Sequence, residues 1–516
     1  MSYAAAVDHL YALGHELAPT PATVPRRKFD LAHMRILATA LGDPQATFPA
    51  VLIAGTNGKG STAATLASIL TAAGYRTGLY TSPHMIRVNE RIQIDGAQIP
   101  DEDFARLYFQ VDEAARRLVE AGDLPHPPSF FEVLTALAFL YFAGRSGPGE
   151  AEPVDIAILE VGLGGRLDAT NIVDPLLSVI TDIALDHQDY LGDTIAEITR
   201  EKAGILRRNG ILITLPQHPE ANQAIGEAAA ELNLHAISAA SFIPHLPPRP
   251  SHPSATPVIS TETPGGVERG SEEIRFSTLN SGLNSGEPLS GAPPLLPRNH
   301  YIVTLNGEPL EIDSPLIGHH QQRNIALAVA AANELRNLTS YKTKQIEPAS
   351  NDRSYKITND AIERGIRNTN WPGRLELINF AEGPSLLLDV AHNPAGAWTL
   401  RAAIAQLPET RPRTLIFSCL RDKNLKEMSQ ILFPLFDASG DRPHDHILFA
   451  PIDNPRAAGL EELLAAAQAL DIPAHAAPHV AAALARAQVV TPPEGLIIAT
   501  GSVYLVGEVR QLAVQE

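Results

Sequence analysis

The strongest chemical signal in the chain is Gly55-Thr56-Asn57-Gly58-Lys59-Gly60-Ser61-Thr62, which follows a β-rich run at 51–54 and opens a small-residue run at 61–73. Glycines let successive backbone amides face a phosphate, a lysine adds a cation, and a hydroxyl at a helix start reaches a phosphate-bound magnesium ion. The spacing departs from the common phosphate loop, because Gly60 separates Lys59 from Ser61. A bare glycine-rich turn can be purely structural, but a strand before it, a helix after it and a lysine within it favour nucleotide phosphates. Three more strand-like runs end in polar residues: Ser82 after 77–81, Glu160 after 154–159, and Asp186-His187 after 176–183. Singly, these read as a turn former, a salt-bridged core edge and a helix cap. Beside a phosphate loop they read as one metal–phosphate site, since a carboxylate at the end of a buried strand needs a cation.

These residues need a scaffold that gathers strand ends. The runs at 154–161, 176–183 and 210–215 are nearly continuous in apolar residues, as expected of strands covered on both faces. Helical runs at 61–73 and 131–142 alternate with them, which predicts a mostly parallel α/β sheet whose strand ends share one edge. From 244 to 297 the composition breaks, with 11 of the 42 prolines mixed with serine, glycine and threonine. The segment 243–299 is therefore expected to be an insertion or mobile loop, ordered only at 273–277. Order is expected again in a strand at 301–305, an alanine-rich helix at 324–335 and a short helix at 361–366, with a polar stretch at 338–360 and a hinge at 368–372. A second series follows, with strands at 385–390, 414–417, 446–449 and 496–499 and a helix at 395–406.

A chain of 516 residues is long for one core, so two domains are expected. Forty basic against 58 acidic residues give a net charge of −18, which disfavours nucleic acid and anionic membranes and leaves small molecules as partners. The single cysteine, Cys419, sits among apolar neighbours and excludes a disulfide or a cysteine metal cluster. No export signal is visible, and the longest apolar-leaning run, 133–144, is short of the roughly 20 residues that span a bilayer. A cytoplasmic protein is expected.

Several longer motifs carry a resemblance: Thr81-Ser82-Pro83-His84, Asn89-Glu90-Arg91-Ile92, Leu159-Glu160-Val161-Gly162-Leu163-Gly164-Gly165-Arg166-Leu167-Asp168, Arg200-Glu201-Lys202-Ala203-Gly204-Ile205, Trp371-Pro372-Gly373-Arg374, Asp389-Val390-Ala391-His392-Asn393-Pro394 and Thr500-Gly501-Ser502. With the phosphate loop, and in this order from Phe29 to Arg510, the chain resembles the folylpolyglutamate synthase/dihydrofolate synthase family of Mur-type ligases. The resemblance implies an α/β fold of two domains: an N-terminal, mostly parallel P-loop ATPase-like sheet at 1–369 that binds ATP and pterin, and a smaller C-terminal Rossmann-like domain at 370–516. It implies an ATP-dependent ligase that adds L-glutamate to dihydropteroate, to reduced folates or, as in bifunctional bacterial members, to both, through an acyl phosphate.

By family position, Gly55, Thr56, Asn57, Gly58, Lys59, Gly60, Ser61, Asn324, Arg374 and Asp389 would bind ATP. Ser61, Ser82, Glu160, His187 and Lys202 would serve the metal, which is magnesium, with manganese an alternative because histidine is soft for magnesium. Lys202 would be carbamylated, turning a cation into a carboxylate. Lys59, Lys202, Asp389 and His392 would be catalytic. Phe29, Asp30, Arg91, Ser129, Phe130, Phe131, Glu132, Arg166, Leu167 and Asp168 would hold the pterin or folate, with Phe130 and Phe131 placed to sandwich a flat ring. Simpler roles stand beside these: core packing for the two rings, a hinge salt bridge for Arg374, and helix caps for Asp389 and Asn324. Family members are commonly monomers. The rivals are a peptidoglycan Mur ligase, disfavoured because only 54 residues precede Gly55, and a non-catalytic nucleotide-binding regulator, which would have lost Lys59, Glu160, His187 or Lys202.

Overall fold

Residues of the run at 51–54 alternate between two apolar clusters, with Val51 and Ile53 in one and Leu52 and Ala54 in the other, so the strand Ala50–Ala54 (β1) is buried on both faces. It lies inside an eight-stranded sheet of the computed structural model, which describes residues 2–14, 30–145, 152–244, 296–345, 355–438 and 442–515. The other strands are Thr77–Tyr80 (β2), Ile92–Ile94 (β3), Ala97–Gln98 (β4), Ile156–Glu160 (β5), Pro175–Ile180 (β6), Ile211–Thr214 (β7) and His235–Ser238 (β8). Their order is β4-β3-β2-β5-β1-β6-β7-β8. All neighbours are parallel except β2–β3 and β3–β4. The expected mostly parallel sheet is present, with an antiparallel flap on one edge.

The strands Asn299–Leu305 (β9) and Glu308–Ser314 (β10) form a separate hairpin. A second sheet of six strands contains Glu376–Ile378 (β11), Ser385–Leu388 (β12), Arg413–Phe417 (β13), His446–Phe449 (β14), His475–Ala476 (β15) and Leu496–Thr500 (β16), in the order β11-β12-β16-β13-β14-β15. Only β11 runs antiparallel, and this sheet has its own apolar core. The chain divides into two compact units, 1–244 with 296–516, and 245–295. The latter, including the order expected at 273–277, lies outside the described residues.

Several expectations need correction. The helix expected from 324 begins at His319 and runs to Gln345, so the polar stretch expected from 338 is helical over its first residues. Asn324 therefore sits in the second turn and cannot cap that helix. The run at 395–406 becomes the helix Pro394–Ile404, whose cap is Asn393, accepting the Gly396 amide at 2.8 Å. Asp389 is not a helix cap. The amphipathic helix Asp101–Ala121, with three acidic residues in its first turn and Gly122 ending it in a left-handed conformation, was not anticipated.

Candidate active site

The C-terminal ends of β1, β2, β5 and β6 face those of β12, β13 and β16 across one cavity of about 1170 Å³. Residues 55–61 line it after β1. The loop is anchored from below: the Thr56 and Asn57 amides donate to the Asp182 carbonyl at 2.8 and 3.1 Å, while Arg323 clamps the Asp182 carboxylate at 2.5 and 2.9 Å. Gly58 stands before the helix Lys59–Ala72 at φ 89°, where no side chain caps the helix. Its first-turn amides have no partner within the helix, and with the positive end of the helix dipole they form an anion-binding surface. A Cβ on Gly60 would come within 2.6 Å of the Trp371 ring, so the loop needs glycine there for close approach.

Lys202 comes from the helix Ile195–Ala203 and is buried, its Nζ donating to the Gly55 carbonyl at 2.7 Å. Burial, followed by the charge of Lys59, pushes this amine down to about 7. Glu160 ends β5 fully inside the protein, its Oε2 accepting the Ser82 amide at 3.2 Å, and it has no ion-pair partner within 4 Å among the described residues. Burial raises its carboxyl above the ordinary range despite Lys59.

A buried, desolvated carboxylate beside Ser61 and Ser82 fits a magnesium ion, which takes one or two protein oxygens and keeps waters and phosphate oxygens. Among the described residues no group of three or more His, Cys, Asp or Glu side chains forms a metal cage, so this would be a shared site. His187 stands apart from Glu160 in its partners: its Nε2 is 3.3 Å from Lys423 Nζ. Burial, then Lys423, pushes the imidazole down to about 3, leaving it neutral.

From the second sheet, Asp389 follows β12 and accepts the amides of Leu375 and Ala391, both at 3.0 Å. It thus ties the segment that leads into β11 to the turn that carries His392. Burial raises its carboxyl to about 6 against the pull of Arg374. Arg374 lines the cavity, and neither it nor Asp389 is used up in a hinge ion pair within 4 Å among the described residues.

The residues expected to hold the pterin divide. Asp30, Ser129 to Glu132 and Arg166 to Asp168 line the cavity. Phe29 lies outside the described residues. Arg91 does not line the cavity: it is buried, donates to His84 Nδ1 at 2.9 Å and stands over the Phe130 ring at 5.3 Å. The rings of Phe130 and Phe131 pack on different neighbours, Tyr11 at 5.7 Å and Tyr80 at 5.9 Å, as adjacent helical positions about 100° apart should. Asp30 caps the helix Leu31–Ala40, Ser129 and Glu132 form a capping box on Phe130–Phe142, and Asp168 orders its own loop through Leu163 and Thr170. Arg166 pairs with Glu201 at 2.8 Å on an exposed edge.

Sequence reasoning missed His320, Lys423, Arg456 and Tyr190, all of which line the cavity. His320 is half-buried, and desolvation followed by Arg374 pushes it down to about 4.

Residues 373–503 match the family described as Mur ligase, glutamate ligase domain. A dihydrofolate synthase/folylpolyglutamate synthase from Bacillus subtilis is 34% identical over 441 residues, covering 85% of this chain and 84% of its own. The chain belongs to the folylpolyglutamate synthase/dihydrofolate synthase family. A folylpolyglutamate synthase from Lacticaseibacillus casei is equally similar, 34% over 406 residues, covering 78% of this chain and 79% of its own. The solved folylpolyglutamate synthase of Mycobacterium tuberculosis, complexed with ADP, superposes with a TM-score of 0.71 at 27% identity over 100% of this chain and 99% of that one. This family member is an ATP-dependent, Mur-type glutamate ligase acting on folates, as the motifs implied. No helix among the described residues is long and apolar enough to cross a membrane.

Proposed function

We propose that this ligase adds L-glutamate both to dihydropteroate, forming dihydrofolate, and to reduced folates, forming folylpolyglutamates. The observation that carries the reading is the cavity itself: a phosphate loop and a desolvated carboxylate on one wall, and the matched glutamate-ligase segment with Arg374, Asp389 and Lys423 on the other. Residues 1–369 would bind ATP and the pterin, and 370–516 would bring glutamate to it. A substrate carboxylate oxygen attacks the γ-phosphorus of ATP, and the bond to the β–γ bridging oxygen breaks to release ADP. The glutamate amine then attacks the acyl carbon, loses a proton, and phosphate departs. Such transfers need positioning and charge neutralisation more than covalent help from the protein. The loop amides and Lys59 would hold phosphates, and the walls would keep water from the acyl phosphate.

Ser61, Ser82 and Glu160 would hold magnesium, which supplies neutralisation of the phosphate oxygens. His187 joins that set only if Lys423 moves off its Nε2. The depressed amine of Lys202 supports carbamylation, which requires the neutral form. It would then leave the Gly55 carbonyl it now holds. A specialist with one of the two activities is the second reading, supported by the equal similarity to the Bacillus and Lacticaseibacillus relatives. The deciding assay is ATP- and magnesium-dependent glutamate ligation with dihydropteroate and, separately, tetrahydrofolate, with products identified by mass. Product from both is expected. Product from one alone would replace the bifunctional reading with the specialist, and product from neither would overturn it.

A further inference from the structure

Asp186 follows β6 on the first sheet's side of the cavity, yet most of its contacts come from the second. Lys423 Nζ lies 2.7 Å from its Oδ1, Asn393 Nδ2 donates to its Oδ2 at 3.2 Å, and His392 Nε2 is 3.8 Å away. The remaining bond is from the His187 amide at 2.9 Å. The Lys423 and Asp186 side chains are only 5% and 9% exposed. Asn393, which also caps Pro394–Ile404, donates to Asn57 Oδ1 in the phosphate loop at 3.1 Å. The carboxylate and the loop are therefore gripped together by two separate turns of the other half, one after β12 and one after β13.

A buried ion pair contributes little net stability, because desolvation offsets attraction, but it tolerates only one arrangement. If the halves part, both charges return to water. We propose that Asp186 is a positioning residue that registers the closed arrangement of the two halves, gathering Lys423 and Asn393 so that the second half seats against the phosphate loop. It acts through those residues rather than on the substrate.

The proposal rests on the ligase reading, but its test does not need turnover. Spin labels on Glu231→Cys and Gln468→Cys, both exposed and one on each half, report the separation, and the lone native thiol at Cys419 is buried and does not compete. With a non-hydrolysable ATP analogue bound, the otherwise unaltered chain should give one narrow distance distribution. Asp186→Asn and Lys423→Met should each broaden it, and the double variant should be no broader than either single. In turnover, each single should lower kcat/KM roughly 5- to 150-fold, with ADP affinity changed less than about threefold, and the double should lose no more than the worse single. A narrow distribution in Asp186→Asn, or losses that simply add, would overturn the proposal. If the parent chain ligates nothing, the functional reading falls while the distance result still decides this one. Should Asp186→Asn fail to fold, Asn393→Asp serves in its place: it keeps the helix cap, removes the donor to Asn57 and sets a like charge against Asp186, so it too should broaden the distribution.

Discussion

Glu160 is held in the protein at a cost to the fold, since its carboxylate is desolvated and, among the described residues, meets only the Ser82 amide. Glu160→Gln keeps the shape and removes the charge. The variant should melt at the same temperature or higher, while kcat falls by about 100-fold or more through loss of preorganised charge. A lowered melting temperature with unchanged kcat would contradict a role at the phosphates. Lys202 makes a parallel statement through pH. Its amine titrates at about 7 in the folded protein against 10.5 ordinarily. Between those values the unfolded chain binds a proton that the folded one does not, so stability rises with pH across the window, and below 7 the folded protein bears the full cost of a buried ammonium. In carbon-dioxide-free buffer, the melting temperature of the native chain should therefore gain on that of Lys202→Met as pH is raised from 7 towards 10.5. Mass spectrometry of native protein equilibrated with bicarbonate should find one added carbon dioxide, absent from the Met variant.

At the scale of elements, the helix Phe130–Phe142 separates a structural role from a substrate role. Ser129 and Glu132 cap it reciprocally, so Ser129→Ala should cost about 1 kcal/mol, while Glu132→Gln, which can complete the same box, should leave stability unchanged. Denaturant titration of the two variants checks this, and a raised KM for the folate substrate in Glu132→Gln would assign the carboxylate to the ligand as well. The elements also show what could be read from the chain alone. Strands β5, β6 and β7 stood out as nearly continuous apolar runs, and β1 as a short β-rich one. Strands β4, β8 and β15 did not, because they are short and largely exposed at sheet edges, where apolar periodicity has no reason to exist. The glycine-rich loop at 55–61 was legible as a cavity-lining segment because its residues are contiguous. Lys423 and Asn393 were assigned no role at the site because their partners, Asp186 and Asn57, lie more than 200 residues away, and no local pattern encodes that meeting. The start of the helix at His319 was equally hidden, since its first residues are polar and carry no apolar period.

For the molecule as a whole, the two halves meet around one cavity, and the contact is close. A Cβ on Gly507, in the helix Val503–Gln515, would stand 2.3 Å from the carbonyl oxygen of Met85, backbone against backbone, across the two halves. Gly507→Ala should therefore force them apart, lowering kcat/KM with nucleotide affinity nearly intact. Gly226→Ala, in open space on the helix Pro219–Glu231, should instead stabilise by roughly 0.5–1 kcal/mol without affecting turnover. Equal behaviour of the two variants would refute a domain-contact role for Gly507. The close packing of Trp371 on Gly60 has a further, optical consequence. The chain has two tryptophans, and the other, Trp398, is 56% exposed. Emission from Trp398 should be red-shifted and readily quenched by iodide, whereas that from Trp371 should be bluer and shielded. In a Trp398→Phe background, the protein thus carries its own fluorescent gauge of the phosphate loop, one that should respond to nucleotide without any added dye.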